Sequence, residues 1–163
     1  MRTLVQFDDS PLEPRWIALN DGVRGGGSSG DPLLVEGRLE FSGALLANNG
    51  GFASVRSVGR GFDLSDATDV VLRVCGDGRG YQLRLATDAR HGGMPVSYGA
   101  GFDTPPGEWT EVRVPLTALT PTARGAAVRG PPLDPSRVRE IGLLIADRRE
   151  EAFALSVEWI AVE

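Results

Sequence analysis

Apolar side chains in this chain recur at every second position in one segment after another, and no ten-residue segment carries the 3.6-residue period of a helix face. Leu39 and Phe41 alternate with Arg38, Glu40 and Ser42, while Val70, Leu72 and Val74 alternate with Val71, Arg73 and Cys75. Tyr81, Leu83 and Leu85 alternate with Gln82 and Arg84. Further strands are expected over 4–7, 51–57, 96–103, 108–115, 138–146 and 152–162, the last with Phe153, Leu155, Val157 and Trp159 on one face. Turn signals separate them: NNGG at 48–51, GDGRG at 76–80, TPPGE at 104–108 and RGPPLDP at 129–135. Short strands at such regular spacing predict an all-β antiparallel β-sandwich or jelly roll. Helical turns are expected only at 115–119 and 135–139, and 120–135 reads as one long surface loop.

A chain of 163 residues has the length of a single domain, so one unit spanning 1–163 is expected. With 41% apolar and 24% charged residues it has the balance of a soluble globular protein. A net charge of −5 without a basic cluster argues against nucleic acid as a partner. No run approaches the ~18 apolar residues that a membrane span needs, and MRTLVQFDDS lacks the apolar core of a signal peptide. A cytoplasmic location is therefore expected, and the lone Cys75 agrees with a reducing compartment.

The segment NDGVRGGGSSG at 20–30 invites a phosphate-loop reading, and its chemistry refuses it. Gly25, Gly27 and Gly30 match G-x-G-x-x-G, but Asp31-Pro32 follows where a helix would have to start. The glycine spacing of an ATP loop is present too, yet all 17 basic residues are arginine and no lysine exists to reach a phosphate. What remains is a loop in which Asn20 and Asp21 bond backbone amides of their own turn, or one that meets a ligand or partner with Arg24 beside the glycines.

Two other motifs stay open in the same way. In NNGGFASVR, alternation puts Ala53 and Val55 on a core face and Phe52, Ser54 and Arg56 on the other, a surface that suits a polar or sugar-like ligand. Asn49 with Gly50 equally well closes a hairpin while Arg56 pairs with a carboxylate such as Asp21 or Asp77. In GDGRGY, Asp77-Gly78 signals a hairpin turn, Tyr81 starts a core-facing strand and Arg79 is left at the loop tip.

Catalytic chemistry finds little here. One His and one Cys cannot assemble a zinc site; His91 sits in a polar loop, and Cys75 ends an apolar strand. Asp21, Asp77 and Asp103 supply carboxylates, but nothing in their spacing pairs them for hydrolysis. No enzyme activity and no cofactor are expected, with a structural calcium ion at Asp8 and Asp9 the one metal worth weighing. Trp159 is expected in the core, whereas Trp16 and Trp109 are open between core packing and a stacking platform.

Trp16, NDGVRGGGS at 20–28, FSG at 41–43, NNGGFASVR at 48–56, GDGRGY at 76–81, GEW at 107–109 and FALSVEWI at 153–160 follow one another in order. In this the chain resembles the complex I intermediate-associated protein 30 family, with Arg24 where the usual NDGVMGG form has methionine. The resemblance implies a galactose-binding-like jelly roll, related in fold to family 11 carbohydrate-binding modules, and a non-catalytic role like that of the mitochondrial members, which are assembly factors for respiratory complex I. The leading expectation is a domain that binds a protein partner as an assembly factor or chaperone, with Arg24, Arg56 and Arg79 near the contact surface. The alternative is a carbohydrate-binding domain using Phe52, Arg56, Tyr98 and Trp109 on one sheet face. Asn20, Asp21, Asn49 and Asp77 complete the candidate site in the adjoining loops.

Overall fold

The computed structural model describes residues 1–8, 10–21, 27–46 and 51–163. Asp9, Arg24 and Asn49, named above for calcium and for partner binding, lie outside the described residues.

The alternating runs form strands because β-branched and aromatic residues favour an extended, half-buried backbone and the glycine and proline clusters end each run. The strands are β1 (Arg2–Val5), β2 (Arg15–Ala18), β3 (Ser29–Val35), β4 (Arg38–Ala44), β5 (Ala53–Val58), β6 (Asp69–Cys75) and β7 (Gly80–His91). They continue with β8 (Met94–Asp103), β9 (Trp109–Pro115), β10 (Thr120–Ala123), β11 (Ala126–Ala127), β12 (Glu140–Ile145) and β13 (Ala152–Val162). Single 3₁₀ turns occur at Leu116–Ala118 and Pro135–Arg137, close to where the two helical turns are expected. Among the described residues no helix is long and apolar enough to cross a membrane.

One sheet runs β3-β4-β13-β6-β9, with β1 beside the second half of β13. The other runs β11-β10-β8-β7-β12-β5-β2. Every paired strand is antiparallel to its neighbours, which makes the fold an antiparallel jelly-roll sandwich. Inward side chains of both sheets meet in one apolar core, in which Phe41 and Phe153 lie edge to face at 4.9 Å between ring centres and Tyr81 lies 6.4 Å from each.

Three sequence expectations are corrected here. The segment 120–135 is not one loop, because β10 and β11 pair at the edge of the second sheet. Strands β2 and β3 lie where turn-forming residues hid them; β3 carries Pro32, which an edge strand tolerates because its missing N–H can face away from the ladder. Trp159 is not in the core. A bulge between Val157 and Trp159 adds one residue to β13, so the alternation changes phase and Ile160 and Val162 are buried instead.

The glycine-rich segment is pinned at both ends. The Asp21 carboxylate accepts from Ser28 N (2.9 Å) and Phe52 N (3.2 Å), and Asn20 spans Gly30 O and Ser54 N. Ser28 Oγ in turn accepts from Leu46 N at 2.8 Å. At Gly30 a Cβ would lie 2.8 Å from the Phe41 ring and 2.9 Å from Ala53 Cβ, so only hydrogen fits between strand and core.

Candidate groove across the second sheet

The outer face of the second sheet carries a groove of about 540 Å³, and strand register decides what lines it. Four Cα partners cross the sheet in one row: Arg56 on β5, Gly142 on β12, Arg84 on β7 and Gly99 on β8. Gly142 leaves a trough on one side of Arg84, and Gly99 leaves a bed for its guanidinium on the other. A Cβ on Gly99 would lie 2.0 Å from Arg84 Nη1, so the missing side chain is the space in which the guanidinium lies as it reaches over β8. There Arg84 Nε donates to Ser97 Oγ (3.1 Å), Nη1 to Gln82 Oε1 (3.0 Å) and Nη2 to Thr122 Oγ1 on β10. Gly99→Ala is therefore expected to expel the guanidinium from its bed at little cost to the fold, because the atom in the way is the far end of a flexible side chain. NMR of the Arg84 Nε–Hε group checks this: a clear shift is expected, together with a melting loss of no more than about 4 °C, which corresponds to roughly 1 kcal/mol at this chain length.

The groove is unusually basic for a protein of net charge −5. Its described ionisable lining is Arg56, Arg84 and Arg124 against the single carboxylate of Glu140. Glu140 Oε2 lies 3.5 Å from Arg56 Nε, and that Nε is buried without a hydrogen-bond partner among the described residues. Burial holds the Arg84 guanidinium below the usual arginine range, and no described carboxylate forms an ion pair with it. Arg124 is exposed in the β10–β11 turn with its backbone at φ 52°, a left-handed conformation that side-chain-bearing residues adopt at a cost. Phe52, Leu19 and Ser54 form one end of the groove, and Ala86, Ser97 and Thr122 line it farther along.

The expected site residues separate into distinct places. Phe52 and Arg56 line the groove. Asn20 and Asp21 hold backbone amides beneath its Phe52 end, with Asp21 buried. Arg79, expected at a loop tip, is 3% exposed. Its Nε and Nη2 form a bidentate pair with Asp147 at 2.8 and 2.6 Å, and its Nη atoms also donate to the carbonyls of Arg149, Glu151 and Ala152. Asp77 accepts from the Tyr81 hydroxyl (3.0 Å) and from Ala154 N (2.9 Å), which ties the turn to β13. Burial, with Asp77 adding to it, pushes the Tyr81 phenol far above its usual range.

Tyr98 is 1% exposed and its hydroxyl donates to Pro131 O at 2.8 Å, because alternation along β8 turns Ser97 to the groove and Tyr98 to the core. Trp109 stands on the other sheet, with the Arg73 guanidinium 5.9 Å from its ring centre. Trp16 packs on Phe7, 5.4 Å between ring centres. Asp8 accepts from Ser10 N at 2.9 Å. Sequence reasoning missed Arg84, Gln82, Ser97, Thr122, Arg124 and Glu140. The signal for Arg84 was present, since it alternates with the buried Leu83 and Leu85, but nothing in a linear pattern shows which residues lie across the sheet from it.

The family model described as Complex I intermediate-associated protein 30 matches residues 5–157. No curated protein matches the sequence. Among solved structures, the family 11 carbohydrate-binding module of the cellulosomal cellulase Lic26A-Cel5E of Clostridium thermocellum superposes with a TM-score of 0.71 at 14% identity, covering 99% of this chain and 93% of that one. The Clostridium thermocellum family 11 module in complex with a β-1,3-1,4-mixed-linked tetrasaccharide gives 0.70 at 14% identity, covering 99% and 94%. A family 30 carbohydrate-binding module gives 0.59 at 18% identity, covering 98% of each chain. At these identities the likeness is one of fold.

Proposed function

We propose, for a chain that belongs to the complex I intermediate-associated protein 30 family, that it is a non-catalytic binding domain and that the groove of the second sheet receives a segment of a protein partner in an assembly-factor or chaperone role. The observation that carries this reading is the groove itself: an open trough lined largely from paired strands, with Arg84 at its centre held by Ser97, Gln82 and Thr122, so little ordering of that side chain is left for the moment of binding. Paired-carboxylate hydrolysis needs a second acid, and Glu140 is the one carboxylate among the described lining residues.

A second reading, carbohydrate binding, is favoured by the presence of Phe52 and Arg56 together in the groove and by the sugar complex of a module of similar fold. Against it stands the lining, in which Phe52 is the one described aromatic ring, whereas sugar grooves rely on aromatic platforms.

Ala86 lines the groove with a methyl group, so Ala86→Trp fills the trough without removing a polar partner. Affinity purification from the native host with both proteins as bait is the test. A reproducible partner protein retained by the wild type and lost with Ala86→Trp, at unchanged melting temperature, is the expected result. Neutral glycans captured on an array, with no protein lost on blocking the groove, would decide for the carbohydrate reading.

A further inference from the structure

The groove concentrates positive charge in a protein of net charge −5, with Arg56, Arg84 and Arg124 against Glu140 in its described lining. Outside the groove seven arginines stand beside acids, among them Arg79 with Asp147 and Arg137 with Asp88, while Arg15, Arg60, Arg90, Arg129, Arg139 and Arg148 form no ion pair with a described residue. In the groove, Arg84 and Arg124 form no ion pair with any described residue, and Arg56 Nε has an acid nearby but no hydrogen-bond acceptor. A half-buried guanidinium that gives up water without gaining a carboxylate leaves a position where an incoming anion would be held more strongly than at an ordinary surface. One strand separates each arginine from the next: β12, with Gly142, lies between Arg56 on β5 and Arg84 on β7, and Arg84 reaches across β8 to Thr122 on β10, two residues before Arg124. A chain lying across these strands would pass Arg84 and the turn that carries Arg124.

Resting on the protein-partner reading, we propose that the segment taken up by this groove is acidic, with at least one Asp or Glu carboxylate seated on Arg84 beside the Gly142 trough and a second acidic position facing Arg124. The Arg84 N–H groups already donate to Ser97, Gln82 and Thr122, so a carboxylate there is drawn by the charge of the guanidinium rather than by a free fork. The protein's net charge of −5 adds selectivity, because its overall field disfavours an acidic chain that does not find this patch.

A phage-displayed random dodecapeptide library panned on the full chain supplies the probe, and the selected peptides are synthesised and titrated by fluorescence anisotropy. The inference expects selected peptides to carry Asp or Glu at a fixed position and to lose binding to Ala86→Trp. It also expects Arg84→Gln to weaken them by about tenfold or more and Arg124→Gln, an exposed change, by a few fold. Changing the fixed acid to its amide should cost the wild type as much, and cost Arg84→Gln almost nothing. Affinity should also fall with added salt. Neutral or basic peptides that are lost with Ala86→Trp but bind Arg84→Gln as well as wild type would overturn the acidic inference and leave the groove reading standing. Peptides indifferent to Ala86→Trp, or no selected peptides at all, would overturn both. Binding of polygalacturonate in place of any peptide would transfer the groove to an acidic sugar and overturn the proposal.

Discussion

Replacing Arg79 by alanine is expected to destabilise the protein by about 3–5 kcal/mol, the usual consequence of removing one member of a buried ion pair. The guanidinium donates twice to Asp147 and also to three carbonyls of the 149–152 segment, so it gathers the connection between β12 and β13 around one cation. Without it the 17%-exposed Asp147 side chain and three carbonyls lose their donor together. Lysine restores the charge but not the fork, and Arg79→Lys is expected to recover only part of the loss. Urea unfolding of the three proteins measures this; a loss below about 1 kcal/mol for alanine, the range of a surface pair, would show that the pair is not buried in solution. The pH dependence carries a sign. The hydrogen bond from Arg79 holds the Asp147 carboxyl below its usual range, so the unfolded chain takes up its proton first as pH falls. This stabilisation is present above the unfolded carboxylate value of about 3.9 and is lost as pH falls through the folded one. Arg79→Ala should therefore lose less stability than wild type between about pH 4 and pH 2.

Phe41→Ala is expected to cost about 3–5 kcal/mol, and to lower the melting temperature by on the order of 10 °C. Phe41 is fully buried, its ring sits against Phe153 and Tyr81, and Gly30 closes over it from β3. The cavity would open where β4, the second sheet and the anchored end of the glycine-rich segment meet, so β3 should loosen as well. Hydrogen exchange along β3 and β4 in the variant reads that directly. Protection of the Ser29–Val35 amides unchanged from wild type would mean that the ring does not support β3.

The all-β class was legible because alternation and turn chemistry are local: a residue two positions from a buried one is buried whatever lies across the sheet. Leu39, Phe41, Val70, Leu72, Val74, Leu83 and Leu85 show it, all of them in the core. The same rule put Ala53 and Val55 inside, and Phe52 and Arg56 in the groove, as their alternation requires. It failed at Trp159 because one bulge residue in β13 shifts the alternation there and turns Ile160 and Val162 inward, and strict alternation makes no provision for an extra residue.

What the sequence by itself determined, then, is the two-layer antiparallel plan, the inward face of most strands, and the order of irregular motifs that marks the family. Only the tertiary structure decided the candidate site. The loop arginine Arg79 became a buried anchor because Asp147, sixty-eight residues away, lies beside it in space. Arg84 became the centre of a groove because antiparallel register set a glycine on either side of it. Pairing between strands distant in the chain is fixed by the packing of the whole sandwich, and no local property of the residues involved encodes it.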